Sequence, residues 1–258
     1  MSGDLKAALI ERCRAMEIPL VGVADVGRWE HPPFQPWMPE AFFPHSIVPG
    51  ARSVIVIGLP IHLPVIETTP SIWYHELYRT VNTLLDGYTY RIAGFLNEQG
   101  HPSVSVPRDG YGGIDVLLER PIAFFSHRHA ALLAGLGTFG VNNMLLTQKY
   151  GPRVRFGSVI TTAALPPDPL IEEDLCTRCM ACVQMCPVRA LGGEDYPEGL
   201  TDKRACAENS AGLNKRSLSP CGICVKVCPV GEDIDLYGRR DAGGLERAAG
   251  HVRSYGSR

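Results

Sequence analysis

Apolar residues recur three and four apart along residues 4–17 (DLKAALIERCRAME), the spacing of an amphipathic helix. The short apolar run at 20–25 (LVGVAD) predicts a buried strand. Residues 53–59 (SVIVIGL) are the clearest strand, apolar on both faces and therefore expected at the centre of a sheet. Between them, residues 29–49 are dense in Pro and aromatic residues and predict irregular extended chain. Residues 71–99 return to helical spacing and predict one long helix, weakened at Gly87 and Gly94. Residues 103–106 (SVSV) and 153–165 (RVRFGSVITTAAL) predict further strands, and 126–134 a helix. The strands are too few and their alternation too irregular for a barrel. The pattern is α+β.

Composition narrows the setting. The chain has 258 residues, 45% of them hydrophobic and 20% charged, which is ordinary for a globular protein. Its 25 basic and 27 acidic residues leave a net charge of −2, so there is no global nucleic-acid footprint. No apolar stretch approaches the ~20 residues of a membrane span. The opening MSGDLKAALIERC lacks the unbroken apolar core of a signal peptide, so a cytoplasmic, reducing location is expected, with Cys13 as a core thiol.

The cysteines carry the chemistry. Eight of the nine lie between Cys176 and Cys228. The first run is Cys176-x2-Cys179-x2-Cys182-x3-Cys186 followed by Pro187; the second is Cys221-x2-Cys224-x3-Cys228 followed by Pro229; Cys206 stands between them. Three thiolates at two-residue gaps converge on one cluster from a tight turn, and in two-cluster ferredoxins the fourth cysteine of a run serves the other cluster. The spacing therefore predicts two [4Fe–4S] clusters. One would be held by Cys176, Cys179, Cys182 and Cys228, the other by Cys186, Cys206, Cys221 and Cys224. A zinc site would instead use two Cys-x2-Cys pairs without a third cysteine at the same gap. Disulfides would need an oxidising compartment.

The proline- and acid-rich stretch 167–174 (PDPLIEED) divides the chain into an expected cofactor-binding domain at 1–166 and a cluster domain at 167–237, followed by a polar tail at 238–258. Residues 135–140 (GLGTFG) match Gly-x-Gly-x-x-Gly, but a helical stretch precedes them and no acid follows in 155–165, so a nicotinamide site is not expected. The glycines serve either a turn or a cofactor loop.

The order of these parts is a mixed domain, then AGLGTFGVNNMLLTQKYGPRVRFGSVITT (134–162), then CxxCxxCxxxCP, a lone Cys and CxxCxxxCP. Over roughly residues 45–232 it resembles the epoxyqueuosine reductase and reductive dehalogenase superfamily. The resemblance implies a nitroreductase-like α/β domain with a mixed sheet, holding a corrinoid (cobalamin), and a ferredoxin-like dicluster module that feeds it electrons. It places Gly135, Gly137, Gly140, Asn142 and Asn143 where backbone meets cofactor or cluster. Where epoxyqueuosine reductases carry an acid ahead of the AGLG segment, ungapped counting falls on Pro121. Their tRNA-gripping C-terminal extension also has no counterpart, which argues against tRNA as substrate.

Candidate replacements for the acid are Arg108, Asp109 and Tyr111 in PRDGYGG, where a cation would make the phenol more acidic, or His127 in the run His127-Arg128-His129. The same residues could equally form a polar turn and a solvated helix end. Tyr74 and Tyr78, four apart, either line an aromatic pocket or pack the core. Lys149, Arg153 and Arg155 would bind a cofactor phosphate or lie on a half-exposed strand. Arg178, Lys203, Arg204, Lys215 and Arg216 would dock an acidic electron donor or are scattered surface charge. The expected activity is an iron–sulfur oxidoreductase passing electrons to a corrinoid to reduce a small molecule or modified base. A low-potential ferredoxin or flavodoxin would be its donor. The alternatives are an electron-transfer protein serving a partner's cofactor, and a flavin-dependent (FMN) reductase.

Overall fold

The computed structural model describes residues 2–30, 39–109, 113–120 and 122–236. Part of the proline-rich stretch, Tyr111, Pro121 and the tail at 238–258 lie outside them. The sheet has four strands in the order β1 (Leu20–Asp25), β2 (Ser53–Pro60), β6 (Val154–Thr161), β3 (Ser103–Val106). Its pairings run Leu20 to Gly58, Ser53 to Thr161 and Ser103 to Thr161, and all are antiparallel where a mixed sheet was expected. The mixed sheet is what the resemblance implies; the doubly apolar β2 is central in the sheet, as its sequence predicts. Here the double burial comes from two separate covers.

Ile55, Ile57 and Val159 face a layer formed by the N-terminal helix Ser2–Ala15 and the long helix Ile72–Glu98, through Leu9, Cys13, Leu85, Ile92 and Leu96. Val54, Val56, Phe156 and Ile160 face the opposite way, onto Trp29, Phe125 and the helix His127–Leu133. Alternate residues of one strand thus enter two cores. Gly87 and Gly94 do not break the long helix, and nothing lies within 4 Å of where their side chains would be. Cys13 is a core thiol, pushed up to about 11 by burial. No helix among the described residues is long and apolar enough to cross a membrane.

The 167–174 stretch is pinned to the sheet layer. Asp168 accepts from the Val23 backbone N–H at 2.8 Å and from Lys6 Nζ at 2.7 Å. Arg28 donates to the carbonyls of Leu133 and Asp168. Beyond it the cysteine segment folds around short helices, Ala181–Gln184 and Ile223–Lys226, and a longer one, Lys203–Asn214, capped by Asp202. The apolar core it shares with the 134–162 stretch is small: Val141, Cys182 and Leu191.

Candidate metal-cluster site

The two cysteine runs fold alike. Met180 (φ 59°) and Gly222 (φ 69°) each take the left-handed conformation directly before a short helix, and each follows a cysteine of the run. That kink swings the next cysteine, Cys182 or Cys224, back toward its predecessors. Only glycine fits the second position, since a Cβ on Gly222 would press on Tyr74 and Thr69.

Cys176, Cys179, Cys182 and Cys228 line one small cavity of about 20 Å³, together with Asn142 and Val141. The remaining four gather elsewhere: Cys206 feels Cys221 and Cys186, and Cys224 feels Cys206, Cys221 and Cys186. Burial pushes Cys224 up to about 12 and Cys228 up to about 11, and neighbouring thiols add to both. Bound metal would reverse this, because coordination deprotonates a thiol outright. Cys224 also feels Cys182 of the first group, so the two groups adjoin.

The glycine–asparagine segment buttresses the cysteines. A Cβ on Gly135 (φ 70°) would overlap the Pro169 carbonyl, and one on Gly137 the Leu146 carbonyl. Gly140 lies against the Leu146 side chain across the β4–β5 hairpin (Thr138–Phe139 and Leu145–Leu146). Asn142 donates to the Cys224 carbonyl at 3.3 Å. Asn143 (φ 54°) donates to the Gly199 carbonyl at 2.8 Å and accepts from the Thr201 N–H at 2.9 Å. The start of the long helix grips the second run: Thr69 Oγ1 donates to the Cys221 carbonyl at 2.7 Å, and His75 Nδ1 to the Ser219 carbonyl at 2.6 Å. Tyr74 is buried against Gly222, whereas Trp73 is exposed.

Beside the second cysteine group lies a charged network. Arg155 donates to Asp109 and to Asn82, both at 3.0 Å, and sits 4.3 Å over the Tyr78 ring. Arg108 pairs with Asp86 at 2.8 Å and approaches Asp109 at 3.7 Å. Burial raises the Tyr78 phenol, and Arg155 opposes the rise. The structure thus joins Arg108 and Asp109 to Arg155, Asn82 and Tyr78, a network that local sequence spacing does not reveal. Arg153 takes no part in it. It is completely buried, bonded to Asp233 and to the Cys228 and Val230 carbonyls. It precedes β6, so the two-residue alternation that would put it beside Arg155 does not reach it. Lys149 sits 5.2 Å over the Tyr150 ring, and Arg178 pairs with Asp174 and Asp195.

His127 is buried, with Nε2 donating to the Pro107 carbonyl at 3.0 Å and Nδ1 sharing a hydrogen bond with Ser158 Oγ at 2.8 Å. Burial lowers it to about 4, so it is neutral near pH 7 and bridges strand to helix. An unfolded histidine takes up its proton near pH 6.5, whereas the folded one resists until about pH 4. Its contribution to stability is therefore complete above about pH 6.5 and disappears as pH falls towards 4, a loss of roughly 3 kcal/mol. Denaturant titrations at pH 7 and pH 4.5 should show this dependence in the wild type and a weaker one in His127→Gln. Equal slopes would remove His127 as its source.

A 4Fe–4S binding domain model matches residues 169–192. The tetrachloroethene reductive dehalogenase of Desulfitobacterium hafniense is 30% identical over 193 residues, covering 69% of this chain and 32% of that protein. The epoxyqueuosine reductase of Francisella cf. novicida is 27% identical over 227 residues, covering 78% of this chain and 58% of that protein. Among solved structures, a reductive dehalogenase described with a mechanism for B12-dependent dehalogenation aligns with a TM-score of 0.66 at 17% identity, over 99% of this chain and 36% of its own. The chain belongs to the superfamily that contains the reductive dehalogenases and the epoxyqueuosine reductases. It is an iron–sulfur, reductase-like member, and it spans about a third of the length of the dehalogenases it matches.

Proposed function

We propose that this chain is an iron–sulfur reductase whose cysteine unit (167–237) holds two [4Fe–4S] clusters and passes electrons to a corrinoid seated on the sheet unit (1–166), for reduction of a small molecule or modified base. The reading is supported by a small cavity lined by Cys176, Cys179, Cys182 and Cys228, and by the mutual electrostatic influence of Cys186, Cys206, Cys221 and Cys224. Thiols spread around a cavity suit a cluster's corners, whereas one zinc ion would draw four sulfurs to about 2.3 Å from a single point. Cys176, Cys179, Cys182 and Cys228 would hold the first cluster, and Cys186, Cys206, Cys221 and Cys224 the second. The two adjoin through Cys182 and Cys224, which suits one-electron transfer between them.

The corrinoid reading rests on the B12-dependent relative and on the residues beside the second group. Tyr78 and Met144 are partly buried apolar surface packed against the same core as Cys224, suited to the flat face of a macrocycle. When bound, a corrinoid supplies a strongly reducing cobalt centre; the protein's share is position, dryness and protons. Tyr78 is the proton donor we assign, since Arg155 over its ring favours the phenolate left after transfer. Asp109 and Arg108 would hold Arg155 there. His127, with both nitrogens engaged, would position strand and helix. A low-potential ferredoxin or flavodoxin would supply the electrons.

Anaerobic reconstitution tests this directly. About eight irons per chain are expected, and titration with cobalamin should change the visible spectrum to a saturating end point. Absence of any spectral change and of binding would remove the corrinoid; half the iron would remove the second cluster.

A further inference from the structure

We infer that Arg128 is the counter-charge that sets the reduction potential of the cluster held by Cys186, Cys206, Cys221 and Cys224. This rests on the two-cluster reading above. Arg128 projects from the helix His127–Leu133, which covers the sheet face opposite the long helix. It is half-buried, its guanidinium donates to the Asn143 carbonyl, and it lies 4.0 Å from Met144 Sδ. Among the described residues no carboxylate forms an ion pair with it. The groups that favour its charge are the Tyr196 phenol and the thiols of Cys224 and Cys206; burial and Arg155 oppose it.

A cation removed from water without a carboxylate is costly unless another anion faces it. His129 shares hydrogen bonds with Tyr196 at 2.5 Å and Ser126 at 2.6 Å, and burial holds it neutral, down to about 3. Lys203 adds a further positive charge. Arg155, by contrast, has Asp109. The anion that balances Arg128 is then the cluster, whose four thiolates outweigh the charge of its core. Reduction adds one more negative charge, so a fixed cation nearby favours the reduced state and raises the potential. The placement is rigid: the same Asn143 whose carbonyl anchors Arg128 clamps Gly199 and Thr201, the approach to the helix that carries Cys206.

The test is a redox titration of the reconstituted full chain, followed by electron paramagnetic resonance, for wild type, Arg128→Met and Arg128→Lys. Arg128→Met should lower the midpoint potential of one cluster and leave the other unmoved. Arg128→Lys, which keeps the charge, should restore most of the shift. If Arg128→Met instead loses half the iron and Arg128→Lys regains it, the counter-charge role stands on assembly. Unchanged potentials, equal shifts in both clusters, or equal shifts with Met and Lys overturn the inference while leaving two clusters intact. A wild-type chain with a single cluster overturns the two-cluster reading itself.

Discussion

Asp233→Ala is expected to lower the stability of the reconstituted chain by about 3–5 kcal/mol, the range for removing one partner of a buried ion pair. Arg153 is 0% exposed and Asp233 5%. The pair is bidentate: Arg153 Nε donates to Asp233 Oδ2 at 2.8 Å and Nη2 to Oδ1 at 2.6 Å. The same guanidinium donates to the Val230 carbonyl at 2.6 Å and the Cys228 carbonyl at 3.3 Å. Without Asp233 a buried cation keeps two carbonyls and loses its bidentate carboxylate partner, leaving only the neighbouring Cys228 sulfur to balance it. The damage should therefore reach Cys228, one of the four cysteines around the first cavity. Anaerobic urea unfolding should give an earlier midpoint, and cluster absorbance should bleach before the far-ultraviolet signal is lost. The double variant Arg153→Met/Asp233→Leu should recover much of the stability, because it removes the stranded charge along with its partner. A loss below about 1 kcal/mol for Asp233→Ala would mean that water reaches this pair.

This pair also marks where sequence reading stops. Strands at 20–25 and 103–106 and the helices near 4–17 and 71–99 are legible because each carries its own periodicity, and packing merely ratifies it. The cysteine grouping is legible because ligand spacing is a local constraint. Strand direction is not local. An apolar run such as Ser53–Pro60 records that both faces are covered, without recording what covers them. Arg153 and Arg155 look alike from a distance of two residues, yet one finds Asp233 and the other Asp109, neither near in sequence. Gly135 and Gly137 match a cofactor-loop pattern, but their missing side chains make room for the carbonyls of Pro169 and Leu146. Close backbone approach to protein and to ligand leave the same trace in sequence.

The crossed ligation proposed for the cysteines makes the most decisive prediction. If each run held its own cluster, Cys186 would share one with Cys176, Cys179 and Cys182. The spatial grouping points the other way. Cys186 is felt by Cys206, Cys221 and Cys224, while Cys228, from the second run, lines the cavity of the first three. Cys186 Sγ also accepts from the Ala190 N–H at 3.2 Å, a contact on the far side of it in sequence from Cys182. The double variant Cys186→Ser/Cys221→Ser should therefore keep half the iron, since both changes fall on one cluster. Cys221→Ser/Cys228→Ser, though confined to one run, should lose all of it. Run-by-run ligation predicts the reverse for both. Cys206→Ser should match Cys186→Ser alone, retaining half the iron and one reduced-state resonance signal. Full iron in Cys206→Ser would remove that residue from the ligand set and leave the second cluster in need of a different fourth ligand.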